Sequence, residues 1–330
     1  MSVVGELEKP RTGVRARSEA LKALRRVREY GIVASVVVLF IVLSLQSNVF
    51  LTQGNLLNIL DQMAPAGIIA CAQTLVIIGG GFDLSVGAMF AIAGVAATQL
   101  VPHIGVWPGL VVGALVGLGL GVVNAIFVAV LGINPFIATL ASSFMFYGVA
   151  SVMTGGYLVT VSDPGFSTLG NGSFIGVKYS IWLLLAVFLA ATVTLRASKL
   201  GRYIFAIGGN AEAARLSGVR VNLVRTSTFA LCGLAAGVAG VLAASRISQG
   251  QANVGNEYTL ITIAAVVIGG TSILGGEGAV WRSVMGVFLL AMIGNGFNLL
   301  NLNPIYQQIV QGGIIIIAVA IDTLARRASN

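Results

Sequence analysis

The chain has 330 residues, 57% of them hydrophobic and 9% charged, with a mean hydropathy of +0.95 and a formal net charge of +8. One soluble core cannot absorb that much apolar surface, whereas membrane spans of about 20 residues each can, so the fold class is an all-α, polytopic integral membrane protein. The placement of the basic residues fits membrane topology better than nucleic acid, and no nucleic-acid partner is expected.

Residues 1–29 carry eight basic and four acidic side chains, and Leu21, Leu24 and Val27 recur at helical spacing among Lys22, Arg25, Arg26 and Arg28. This pattern predicts a cytoplasmic amphipathic segment lying on anionic membrane lipid. A signal peptide is the rival reading, but no small-x-small cleavage pattern follows the apolar run 31–45, which is therefore a retained first span.

A transmembrane domain over 30–325 holds about ten spans: 31–45, 59–78, 84–101, 109–131, 136–153, 181–195, 224–244, 258–268, 279–300 and 305–321. The eighth is short and flanked by Gly269-Gly270. With the N-terminus in the cytoplasm, the C-terminal tail 326–330 and the central loop 197–223 are cytoplasmic too. All but Lys178 and Arg246 of the 19 lysines and arginines then lie inside, as the positive-inside rule requires. Cys71 and Cys232 fall within spans, which implies no disulfide framework.

Two glycine clusters lie in the membrane region, at 79–87 and 269–278, and neither contains the Gly-Lys-Ser/Thr of a phosphate-binding loop. If ATP drives this protein, another subunit binds it. Asp83 either caps the third span by accepting amide hydrogens near Ser85 and Val86, or faces a water-filled path. Asn134-Pro135 and Asn303-Pro304 each read as a capping Asn before a proline at the first helical position. With Ile78-Gly79-Gly80 and Ile268-Gly269-Gly270 they hint at an internal repeat, although the two spacings disagree. The outer loop 154–180 is rich in Gly, Ser, Thr and Asn; it folds over the outer mouth, meets a partner or stays solvated.

The central loop interrupts the hydrocarbon with Lys199, Arg202, Glu212, Arg215 and Arg220. Asn210 is a helix cap, residues 211–216 are strong helix formers, and Gly218 is placed to stop the helix. A short helix held at the membrane surface is predicted, the alternative being an ordinary cytoplasmic loop. His103 is the sole histidine, and no Cys–His or paired-carboxylate constellation can be assembled. No catalytic residue, cofactor or metal site is therefore expected. An ion-coupled secondary transporter or channel for a small polar solute is the alternative to an ATP-driven one. Asp61, Asp83 and Asp322 sit near span ends and leave the span centres almost uncharged, which weakens that alternative.

From about residue 59 to 322 the chain resembles the permease subunit of bacterial ATP-binding-cassette (ABC) sugar importers of the ribose/xylose/arabinose group. The resemblance is carried, in this order, by Gly80-Gly81-Phe82-Asp83-Leu84-Ser85-Val86-Gly87, Asn134-Pro135-Phe136-Ile137, Gly208-Gly209-Asn210-Ala211-Glu212-Ala213-Ala214-Arg215-Leu216-Ser217-Gly218 and Gly269-Gly270-Thr271-Ser272. Phe82 departs from the family's usual Ile. Residues 212–218 are also similar to the Glu-Ala-Ala-x-x-x-Gly signature of importer permeases, without its hydrophobic-plus-proline ending.

The resemblance implies a permease homodimer in the bacterial cytoplasmic membrane. A cytoplasmic ATP-binding subunit would drive it, and an extracytoplasmic sugar-binding protein would deliver a monosaccharide. It makes Asn210, Ala211, Glu212, Ala213, Ala214, Arg215, Ser217 and Gly218 the helix that couples to the ATPase, with Ala213 and Ala214 packed into its groove. Asp83, Ser85, Asn124, Asn134, Phe136 and Asn295 are the candidates for the substrate path.

Overall fold

The computed structural model describes residues 31–329; the amphipathic segment expected at 1–29 lies outside the described residues. The described chain runs through α1 (Gly31–Gln46), α2 (Gln53–Ile78), α3 (Val86–Ile104) and α4 (Val106–Ala125), which continues as a π turn over Ile126–Val130. There follow α5 (Pro135–Thr154), the short α6 (Thr168–Asn171), α7 (Tyr179–Ala197), α8 (Lys199–Leu216) and α9 (Val221–Ile247). The last three are α10 (Asn256–Ile268), α11 (Val280–Leu299) and α12 (Pro304–Ser329).

Each expected span coincides with one helix, and seven of the described helices are long and apolar enough to cross a membrane. Helices α1 and α10 are shorter apolar ones. α2 starts earlier than its apolar run because Thr52 caps it, the hydroxyl accepting from Asn55 N–H at 3.3 Å. Asn134 and Asn303 cap α5 and α12 as expected, each accepting from the N–H two residues on at 3.0 Å. α12 continues through residues 326–329, where a separate tail was expected.

The centre of the bundle is α2, whose most apolar stretch is 94% buried, with α3 (72%) and α9 (67%) beside it. α5 and α7, at 28% and 22%, form the rim and present their remaining apolar side chains outward. Gly117 and Gly121 of α4 face Gly233 and Gly237 of α9, and a Cβ on Gly117 would stand 2.4 Å from the Gly233 carbonyl oxygen. Four-residue spacing puts these glycines on one stripe and lets the two backbones touch.

Two helix ends share one geometry. α2 ends with Gly80 (φ +78) and the bonds Gly80 N–H to Ile77 O (2.9 Å) and Gly81 N–H to Val76 O (3.0 Å). α10 ends with Gly270 (φ +78) and the bonds Gly270 N–H to Val267 O (2.8 Å) and Thr271 N–H to Val266 O (3.2 Å). The repeat hinted at by the glycine pairs is thus a repeat of helix endings, each needing a left-handed residue that glycine adopts at no steric cost.

The N-termini of α3 and α10 meet inside the bundle. Gly87 N–H donates to Thr259 Oγ1 at 3.1 Å, and a Cβ on Gly87 would fall 2.2 Å from the Gly255 carbonyl oxygen. Non-helical backbone leads into both helices, which is tolerated within a membrane bundle where protein surrounds it.

The 154–180 segment is folded rather than loosely solvated. Its β1 (Val159–Thr160) pairs antiparallel with β4 (Gln249–Gly250), and its β2 (Ser173–Phe174) forms a hairpin with β3 (Val177–Lys178). Phe166 is fully buried, and Ser245 of α9 donates to the Phe166 carbonyl while accepting from Gly170 N–H at 2.9 Å. The segment is pinned to the end of α9 by these contacts.

Candidate functional site

Helix α8 is two helices joined at Asn210, whose backbone is extended (φ −159, ψ 103). Its side-chain Oδ1 accepts from Ala213 N–H at 2.9 Å, so a new short helix starts there, as the sequence predicts. Gly218 (φ +85) ends it, with Gly218 N–H bonded to Arg215 O and Val219 N–H to Ala214 O, both at 3.0 Å. Arg215 grips Glu212 through Nη2 (2.6 Å) and Nε (3.1 Å), and this guanidinium holds the Glu212 carboxyl below its ordinary pKa.

The faces of this short helix differ from expectation in one respect. Glu212, Ala213, Arg215 and Leu216 are exposed, Leu216 to 79%. Ala214 is buried in one apolar cluster with Ile207 and Val224 of its own chain. Of the two alanines expected in a partner's groove, only Ala213 is free to enter one; Ala214 holds the helix down.

Immediately before the kink, Gly208 meets the bundle backbone to backbone, beside the buried Ile207 side chain. A Cβ on Gly208 would lie 1.8 Å from the Ile78 carbonyl oxygen and 2.5 Å from Gly276 N. Gly276 N–H also donates to Ile78 O at 2.8 Å, and Gly275 (φ +89) stands against Gly80. The end of α2, the loop after α10 and the kink of α8 therefore converge on one glycine junction.

The path candidates divide. Asp83, Ser85 and Asn124 come together: Asp83 Oδ1 accepts from Ser85 N–H (2.9 Å) and Ser85 Oγ (2.7 Å), and Asn124 Nδ2 donates to Ser85 Oγ (2.6 Å). The sequence puts the Asp83 acceptor near Ser85 and Val86; the side chain uses Ser85 alone. Gln73 joins this group by donating to Asp83 O at 3.1 Å while accepting from Cys232 Sγ at 3.1 Å. Thr139 of α5 accepts from Leu84 N–H at 3.0 Å. Asp83, Ser85 and Asn124 are fully buried, which makes this a polar tie among α2, α3, α4, α5 and α9 with no opening to solvent.

Asn134 and Phe136 stand apart from it at the start of α5, and Phe136 is 52% exposed. Asn295 is elsewhere again, exchanging amide hydrogen bonds of 3.2 and 2.8 Å with Asn55 to tie α11 to α2.

The sequence reading missed an ion cluster at the end of the bundle that carries the 154–180 segment. Asp61 of α2 is buried and takes Lys178 on Oδ2 (2.7 Å), and Arg246 (2.6 Å) and Ser180 (2.5 Å) on Oδ1. The available signal was charge: Lys178 and Arg246 are the two basic residues that topology sets apart from the rest, and Asp61 lies near the corresponding span end. Among the described residues, no three His, Cys, Asp or Glu side chains gather into a metal-binding group.

Residues 55–319 match the protein family described as branched-chain amino acid transport system / permease component. The ribose import permease protein RbsC of Escherichia coli (strain K12) is 39% identical over 90% of this chain and 94% of its own length. RbsC of Bacillus subtilis (strain 168) is 36% identical over 86% of this chain and 89% of its own. The L-arabinose transport system permease protein AraH of Escherichia coli (strain K12) is 36% identical over 92% of each chain. No solved structure matches.

Proposed function

The chain belongs to this family of transport permeases, and from that premise we propose that it forms the translocation pathway of an ABC importer for a pentose- or hexose-like monosaccharide. A separate cytoplasmic subunit binds and hydrolyses ATP, an extracytoplasmic binding protein delivers the sugar, and two copies of the permease build the pathway in the bacterial cytoplasmic membrane. The sugar reading is favoured over an amino acid by the ribose and arabinose permeases that align along nearly the whole chain.

The observation that carries the coupling role is the short capped helix over 211–216. It is exposed on its Glu212, Ala213 and Leu216 face and anchored on the other by Ala214. A partner that shifts this helix would move Gly208, and a backbone contact has no side chain to yield. The shift would reach the end of α2 and the loop leading into α11 directly. Asn210 supplies the bend about which the short helix is set relative to the rest of α8.

The test is uptake by the complete transporter, assembled from this chain with its ATP-binding and sugar-binding partner subunits. Labelled ribose or arabinose should accumulate in an ATP-dependent way that survives collapse of the proton and sodium gradients, and leucine should not. Uptake that needs an ion gradient and no ATPase would establish the secondary-transporter alternative instead. Uptake of leucine without either sugar would make the substrate an amino acid.

A further inference from the structure

A cavity of about 230 Å³ lies among α3, α9 and the backbone that runs from β4 into α10, apart from every candidate so far assigned to the path. Its apolar wall includes Pro65, Ala91, Ala243 and Val254. The Phe90 and Tyr258 rings form another part of the lining, packed together with centroids 4.7 Å apart. The polar lining is Arg246, Gln249 and Gln251.

These polar groups have unused capacity. Arg246 spends Nη2 on Asp61, while its buried Nε–H has no partner. Gln251 makes a single long bond of 3.5 Å to Gln249, which leaves the Gln249 amide hydrogens free. The unpaired Arg246 Nε–H is costly because it is kept from water, and a hydroxyl-bearing ligand would pair it and the amide hydrogens beside it. The cavity is smaller than the roughly 300–1,000 Å³ of sites for drug-sized ligands, so it suits one small solute.

We propose that this cavity binds one monosaccharide within the permease itself, Arg246, Gln249, Gln251 and the Tyr258 hydroxyl bonding its hydroxyl groups and the Phe90–Tyr258 pair covering its apolar face. The inference rests on the sugar-importer reading above. An alkyl chain would fill the same volume but leave the guanidinium and amide hydrogens unpaired, which favours a polyhydroxyl solute. Arg246 also ties the site to Asp61, Lys178 and the 154–180 segment, and β4, which supplies Gln249 and Gly250, is paired with β1 of that segment. A bound sugar and the folded segment therefore share a wall.

The test uses the full chain in lipid nanodiscs. Cys71 and Cys232 are fully buried, so a cysteine placed in the wall by Ala243→Cys reports on the cavity by its rate of maleimide labelling. Should that variant misfold, Val254→Cys replaces it. Ribose or arabinose at ten times its Kd should slow labelling by about tenfold, following the fraction of empty sites, and leucine should not. Labelling unchanged by either sugar up to saturation overturns the proposal. Slowing by an alkane but by no sugar also overturns it and makes the cavity an acyl-chain pocket.

In the complete transporter, Tyr258→Ala and Gln251→Ala should lower sugar uptake with membrane level and ATPase co-purification unchanged. If the unaltered transporter moves no monosaccharide, the importer reading itself fails. If it moves sugar and both variants match it, only the cavity site fails.

Discussion

In the proposed coupling helix, Asn210 would govern shape and Leu216 contact. Asn210 accepts from Ala213 N–H and so sets where the short helix begins. Asn210→Ala should cost the helix about 1 kcal/mol, the typical loss of a capping side chain. Faster hydrogen exchange confined to 211–216 is the measurement, and Asn210→Asp should restore protection because Asp caps as well. Leu216 is 79% exposed, so Leu216→Ala should leave the thermal unfolding of the purified chain unchanged. If a partner groove covers the side chain, that substitution removes about 1.5–3 kcal/mol of apolar burial, or roughly 10–150-fold in affinity. Quantitative pull-down of the ATPase reads it; equal recovery would show that Leu216 is not at the contact.

At the scale of elements, α4 and α9 test whether glycine works by position or by abundance. Gly117→Leu places a side chain against the Gly233 carbonyl, whereas Gly119 has nothing within 4 Å of its would-be Cβ. Gly117→Leu should therefore overpack the pair by at least about 1–3 kcal/mol and lower the melting temperature in detergent. Gly119→Leu, two residues away on the same helix, should not.

The helices, the Asn210 cap and the Gly218 stop were legible in the sequence because each depends on local chemistry or a long apolar run. The first part of α8 was not. Gly201, Gly208 and Gly209 argue against a helix there, and the burial of Ile204 and Ile207 against the bundle overrides that local preference. The fold of the 154–180 segment was equally hidden, since it depends on β4 and Ser245, far along the chain. Asp83, Ser85 and Asn124 were named in the sequence as candidates for the substrate path, and in the structure all three are fully buried. Their convergence, and the separation of Asn134, Phe136 and Asn295 from them, is a matter of tertiary packing that no local pattern records.

For the whole molecule, the proposed topology makes a simple demand on accessibility. Ser217 and Ser173 are both exposed, one beyond the coupling helix and the other in the β2–β3 hairpin. In intact cells Ser173→Cys should react with an impermeant thiol reagent, and Ser217→Cys should react only after the membrane is opened. Labelling of Ser217→Cys from outside would invert the topology and remove the coupling role with it.

The Asp61 cluster has a further consequence, which concerns time. Asp61 is separated from Lys178 by 117 residues and from Arg246 by 185. At a synthesis rate of about 5–20 residues per second, the ribosome needs roughly 6–25 s to supply the first of these cations after Asp61 emerges. During that interval α2 carries a carboxylate with neither of its eventual cationic partners, at a cost below the roughly 3 kcal/mol of a helix-centre Asp because Asp61 lies near the span end. The helix at the centre of the finished bundle is thus among the first made and among the last to be electrically complete.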